Sequence, residues 1–184
     1  MVRLLALPGV LRLRALAHPF VSLPLWMVDL AAWHVPYLYD AALAHPVVHA
    51  LEHGMFFTLG ALVWSVLFEL LPGSRWFGPA PRVAYVAVMW FFSLALSSFF
   101  LWLRRPLYTP YVRAPRTWGL SPLADQQIGG GVMLVEGSVL MLGVLIWLGI
   151  RWFAEAEQRQ RLIESSVSPE PGQQLPGPEA RNAS

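Results

Sequence analysis

Two long runs almost empty of charge leave this chain few architectures. Val83 to Leu103 holds 21 residues without a charge, and Ile128 to Ile150 holds 23 with Glu136 as the sole ionisable group. About 20 apolar residues in a helix cross the hydrocarbon core of a bilayer. A third run, Pro46 to Leu71, is equally long but carries His49, Glu52 and His53 near its start and Glu69 near its end. A fourth, Pro19 to about Tyr39, is interrupted by Pro24, Asp29 and His34-Val35-Pro36. Such interruptions survive at membrane depth where neighbouring helices satisfy the freed polar groups. The chain therefore reads as an all-α integral membrane protein. Its four transmembrane helices, at about 19–39, 46–71, 83–103 and 128–150, form one bundle. Charged residues make up 13% of the chain, against about 25% in an average soluble domain, which agrees with that reading.

Composition removes several chemistries. With no cysteine, disulfides, thiolate metal sites, iron–sulfur clusters and a cysteine nucleophile are excluded. A formal charge of +2 gives no reason to expect nucleic acid as a partner. The partner is membrane lipid, and every basic side chain is arginine at the end of an apolar run.

The flanks separate from this membrane domain, 18–152. Residues 1–17 hold Arg3, Arg12 and Arg14 and no acid, which suits an amphipathic lead-in helix. Ala15-Leu16-Ala17 resembles a signal-peptide cleavage site, but Arg12 and Arg14 fall where the apolar core of a signal peptide belongs. In 153–184, Glu155, Glu157, Arg159 and Arg161 offer two i,i+4 pairs on a short helix extension. From Ser165 onward Pro, Gly, Gln, Ser and Glu dominate, predicting a disordered tail. With the N-terminus inside, Arg3, Arg12, Arg14, Arg75, Arg82, Arg151, Arg159 and Arg161 lie on the cytoplasmic side. Arg104, Arg105, Arg113 and Arg116 lie on the other. The excess of positive charge inside predicts a cytoplasmic N-terminus.

Four of the five histidines lie between Trp33 and His53. Ionisable groups within a span are costly and mark function by default. Pro46 suits the first turn of a helix, so His45 starts the second span. At 100° per residue His45, His49, Glu52 and His53 fall within an arc of about 100°, and His53 lies about 12 Å below His45. In the fourth span Asp125 sits where an N-cap belongs, followed by Gln126 and Gln127. Asp125, Gly129, Val132, Met133 and Glu136 share a second stripe that ends about 16 Å deeper. Gly129 would let another helix approach closely. The two stripes are expected to face each other, with His34 above them. Asp29 would complete a hydrogen bond between helices.

Imidazole with thioether suits copper, and Met133 and Met55 supply the thioether. Imidazole with carboxylate suits zinc or iron equally. His49-Ala50-Leu51-Glu52-His53 also matches the H-x-x-E-H pattern of zinc hydrolases, in which two histidines bind the metal and the glutamate activates water.

An ordered set of motifs then points to a family. Trp33-His34-x-Pro36, Leu38-Tyr39-Asp40-x-Ala42-Leu43, His45-Pro46 and His49-x-x-x-His53 come first. Leu107-Tyr108-x-x-Tyr111 and Ala124-Asp125-Gln126-Gln127-x-Gly129-Gly130 follow. Together they resemble the CtaG-like family of caa-type cytochrome c oxidase assembly factors, from about His18 to Trp152. The resemblance implies a multi-pass protein of the bacterial plasma membrane, without catalytic turnover, that delivers copper to a haem–copper oxidase. Family members have about seven spans, of which this chain keeps the last four, so a homo- or hetero-oligomer would replace the missing helices. Oxidase subunits or other assembly factors are the expected partners. His34, His49, His53 and Asp125 are carried over from the motifs, while Met133 and Glu136 come from the helical stripe. The expected metal site is thus His34, His49, His53, Met133 and Glu136, with His45, Glu52, Asp125, Gln126, Gln127 and Asp40 as its polar support. A zinc hydrolase or a metal-free scaffold for oxidase assembly are the alternatives.

Overall fold

A computed structural model describes residues 15–70, 76–116 and 119–167. Of the expected lead-in, 1–17, and the expected tail from Ser165, residues 1–14 and 168–184 lie outside them, and Ser165 to Val167 end the last helix. The six elements among the described residues are helices: α1 (Pro19–Trp33), α2 (Pro36–Ala44), α3 (Pro46–Leu67), α4 (Pro79–Trp102), α5 (Thr109–Arg113) and α6 (Pro122–Val167). Each begins with proline at its first or second position, where the missing N–H leaves no bond unmade. The residue before a proline is driven out of the helical region. Val35 (φ −69°, ψ 132°) and His45 (φ −130°, ψ 115°) are accordingly extended.

That rule corrects the first expected span. The run 19–39 is two helices, because Pro36 forces Val35 to break the chain after Trp33. Three helices, α3, α4 and α6, are long and apolar enough to cross a membrane, and α1 is a shorter apolar helix. Among the described residues the chain is therefore an all-α membrane protein with three full-length spans, neither helix of the expected first span being long enough to count as a fourth.

The chain divides into two compact units, 1–145 and 146–184. In the first, α3 packs on α1 and α2, and α4 on α1. The core joins Ser22 of α1 and Val63, Val66 and Leu67 of α3 to Tyr85, Val86 and Met89 of α4, all at most 7% exposed. Ser22 Oγ and Tyr85 Oη lie 3.0 Å apart and tie α1 to α4. Asp29 does not make the expected bond between helices; its Oδ1 accepts the indole N–H of Trp33 one turn along α1, at 2.9 Å.

α3 stops at Leu67 because Glu69 turns left-handed at φ 57°. The amide of Leu70 reaches back to Ser65 and that of Glu69 to Val66, which closes the helix end. Arg82 of α4 holds the Glu69 carboxylate and also donates from Nε to the Phe77 carbonyl.

α6 and α4 meet at Gly130. A Cβ there would stand 2.9 Å from Phe100 Cβ and 3.1 Å from the Ser97 carbonyl, so only glycine fits the approach. The expected contact glycine, Gly129, has open space instead; one residue is a 100° rotation on a helix. Trp90 Nε1 donates to Ser138 Oγ at 3.1 Å further along the same pair. The second unit, described by itself, carries helical i,i+4 pairs, Arg151 with Glu155 and Arg161 with Glu157.

Candidate functional site

At the end of the bundle where α1 stops and α6 starts lies a cavity of about 390 Å³. Its walls come from helix ends: His34 after α1, Tyr39 of α2, Phe100 of α4, Tyr108 and Tyr111 of the following loop and α5, and Asp125 to Met133 of α6.

The break after Trp33 sets His34. Its Nδ1 lies 2.7 Å from the Leu30 carbonyl. A carbonyl only accepts, so Nδ1 carries the proton and Nε2 is left as the basic nitrogen. The backbone carbonyl of His34, freed by the same break, accepts the Tyr108 hydroxyl at 3.1 Å. Tyr108 is 7% exposed and stacks on Tyr39 with ring centroids 3.9 Å apart. Tyr39 and Tyr111 share a hydroxyl–hydroxyl bond of 3.0 Å. Burial first, then the nearby Asp40 carboxylate and Tyr111, raise the Tyr108 phenol above its ordinary value.

α6 begins earlier than expected. Ser121 caps it, with Oγ accepting the Ala124 amide at 3.2 Å and Pro122 in the first turn. Asp125 is therefore a first-turn acid rather than the cap. Gln126 Oε1 accepts the Leu107 amide at 2.6 Å. Gln127 Nε2 donates to the carbonyls of Leu101 and Leu103, both at 3.1 Å, closing the C-terminal end of α4. The two glutamines thus fasten the tyrosine loop and α4 to α6. Gln126 Nε2 and Asp40 Oδ1 are buried with no hydrogen-bond partner among the described residues.

Of the expected site, the structure brings His34, Asp125, Gln126 and Met133 to one cavity, with Gln127 beside it as a brace. The histidines of α3 are elsewhere. His45 is exposed at the junction of α2 and α3. His49 and His53 are exposed and contact each other, Nε2 to Nε2 at 2.9 Å. Glu52 is turned inward at 13% exposure, with Oε2 4.0 Å from His49 Nδ1. Glu136 is exposed on α6, and Met55 is exposed on α3. No side chain of α3 lines the cavity, so the two stripes do not face each other across it. Both helices carry their stripes where expected, but the half of α3 nearest the cavity turns that stripe outward. Among the described residues no three His, Asp or Glu side chains form a group able to hold a metal ion. The donors that share the cavity, one imidazole, one thioether and one carboxylate, fit a soft cation held loosely rather than a four-ligand structural site.

The tyrosines belong to the sequence motifs, but their local sequence alone does not mark them as a site. Their signal was the spacing Tyr108-x-x-Tyr111 in a proline-rich loop next to Asp125. What sequence lacked was the stacking partner, Tyr39, about 70 residues away. The arginines of this end, Arg104, Arg105, Arg113 and Arg116, are all exposed.

The chain belongs to the caa3 cytochrome c oxidase assembly factor family, CtaG type, whose model matches residues 2–155. That match covers α1 to α5, α6 as far as residue 155, and the cavity just described. Membership places the protein among assembly factors, not enzymes, and ties its work to the oxidase assembly machinery. No curated protein and no solved structure matches the chain.

Proposed function

We propose that this protein hands copper to a caa3-type oxidase during its assembly, from the outer face of the bacterial plasma membrane. The observation that carries the reading is the cavity in which His34, Met133 and Asp125 share one wall-to-wall space. The metal is cargo here, so the ligands must capture it and release it. Thioether and imidazole bind Cu(I) by softness, and a carboxylate adds charge without a rigid cage. The proton on His34 Nδ1, held by the Leu30 carbonyl, fixes the ring and makes Nε2 the nitrogen that offers its lone pair to the metal, as second-layer bonds to a ligating histidine commonly do. The outer face rests on arginine counting with α1 crossing the bundle beside α4, His18 near Trp76 at one end and His34 near Phe100 at the other, which leaves the cavity at the arginine-poor side. Copper transfer needs an oxidase subunit docked at this end, and the exposed arginines of the same end suit an acidic partner surface.

The test is copper binding by the purified protein in detergent, with Cu(I) and Zn(II) compared. His34→Ala and Met133→Leu are expected to weaken Cu(I) binding at least ten-fold each. Zinc should bind no better than to the double variant. If both variants bind copper as the parent does, the cavity is not the copper site. Retention of copper by these but its loss in His49→Ala with His53→Ala would move the site to the α3 pair, whose imidazoles stand 2.9 Å apart. If the parent binds no metal while oxidase assembly still depends on it, the protein is a scaffold.

A further inference from the structure

The exposed half of α3 and the mid-section of α6 carry ionisable groups that one copy of the chain leaves uncovered. In the membrane-length window of α3, only 17% is buried within the chain. Among the described residues the polar and ring contacts of His49 and His53 stay within α3: each other and, for His49, Glu52. Glu136 on α6 is exposed with no partner among the described residues. Its own-helix neighbours at one turn, Val132 and Leu140, are apolar and exposed. Within a bilayer such groups face protein or water and are paired, because an unpaired ionisable side chain in lipid is costly.

The depths match. α3 and α6 start at the same end of the bundle, since Tyr39 of α2, which leads into His45, lines the cavity with Asp125. His53 lies about 12 Å along α3 from His45, and Glu136 about 16 Å along α6 from Asp125. One chain therefore presents imidazole donors on one helix and a carboxylate acceptor on another at nearly one level. Complementary groups at one depth allow two copies to pair, and a two-fold axis along the membrane normal preserves the depth of every residue. Gly54, beside the imidazoles, and Gly137, beside the carboxylate, have open space at their Cβ positions, so another helix can come close to either.

We propose that two copies of this chain pair through these faces, with Glu136 of each copy against the His49–His53 pair of the other. The two polar stripes then meet between copies, not within one. The pairing does not depend on copper.

The chain has no cysteine, so introduced thiols report contact without background. Phe57→Cys, one turn beyond His53, and Leu140→Cys, one turn beyond Glu136, leave the proposed groups intact. Co-expressed in native membranes on differently tagged copies, this pair should yield a doubly tagged product with a short bifunctional thiol reagent. Leu140→Cys with Val88→Cys on α4 should not. Glu136→Gln is expected to raise the dimer dissociation constant about ten-fold, two symmetry-related contacts each contributing roughly a factor of three. It should leave the monomer's unfolding midpoint unchanged. Absence of the doubly tagged product, equal yield with Val88→Cys, or a dissociation constant indifferent to Glu136→Gln would overturn the proposal. So would a thiol adduct joining one tagged copy only to a different protein.

Discussion

Gly129 and Gly130 are adjacent, helical and chemically identical, yet alanine should act on them in opposite directions. At Gly130 the added Cβ would meet Phe100 Cβ at 2.9 Å, the Ser97 carbonyl oxygen at 3.1 Å and the Leu101 amide nitrogen at 3.3 Å. Carbon atoms rest at about 3.5–4.0 Å, so the first contact is roughly 0.6–1.1 Å too short. Two of the three neighbours are backbone atoms of α4 and cannot rotate away. α4 and α6 must separate, stretching the bonds of Gln127 to Leu101 and Leu103. Overpacking of this kind costs about 1–3 kcal/mol, against which the better helix propensity of alanine returns up to about 1 kcal/mol. At Gly129 nothing lies within 4 Å, so only the gain remains. The expected difference between Gly130→Ala and Gly129→Ala is thus about 2 kcal/mol, or roughly 4–8 °C in unfolding midpoint for a chain of this size. Thermal unfolding in one detergent, followed by tryptophan fluorescence, measures it. Equal midpoints, or a less stable Gly129→Ala, would refute the close approach of α4 and α6 at this turn.

Glu69 occupies a left-handed position that costs a side chain about 1–2 kcal/mol. Glu69→Gly and Glu69→Ala both lose the contact with Arg82, but only glycine relieves the backbone. Glu69→Gly should therefore be the more stable by about 1 kcal/mol in denaturant titration, and equality would remove the strain argument. Tyr108→Phe leaves the His34 carbonyl without its donor and should cost about 1–3 kcal/mol by the same titration. The Tyr108 phenol is raised above its ordinary 10.0, so the folded state favours the neutral form. The stability this gives is complete below about pH 10 and is lost as pH rises toward the folded value. Tyr108→Phe should flatten that alkaline loss, and an unchanged pH profile would contradict it.

The long helices were legible because length and apolarity settle them locally. Ile128–Ile150 lies inside an observed helix, and Val83–Leu103 runs one residue past the end of another at Trp102. The misread span shows the limit. Composition alone carried 19–39 through His34-Val35-Pro36, whereas the steric demand of Pro36 on Val35 ends α1 at Trp33. The helical stripes were also local and could be counted, but which way a stripe turns is decided by packing. The fully buried residues of α3 lie at its far end, Val63 to Leu67. The half carrying His49 and His53 is covered on its Glu52–Phe56 side, where Trp33 packs, and leaves the two imidazoles exposed. Gln126 and Gln127 were read as support for a metal and are braces for a loop and a helix end. Their partners are backbone groups more than 18 residues away, which no spacing rule reaches.

The broken helix accounts for the character of the cavity as well as its position. An uninterrupted span over 19–39 would bury the His34 carbonyl in its own ladder, leaving Tyr108 without an acceptor. The break instead places the negative end of the α1 dipole at His34 and, across the cavity, the positive end of α6 at Asp125. A cation on the imidazole and an anion on the first-turn acid are each favoured by the helix that carries it. Reversing the acid should expose this. Asp125→Asn keeps the shape but removes the anion, so it should weaken a bound cation several-fold while leaving stability almost unchanged, since Asp125 is exposed. Asp125→Lys places a second cation at the positive helix end and should abolish binding altogether. Copper titration of the two variants decides it, and equal affinities would mean that the charge across the cavity has no part in holding the ion.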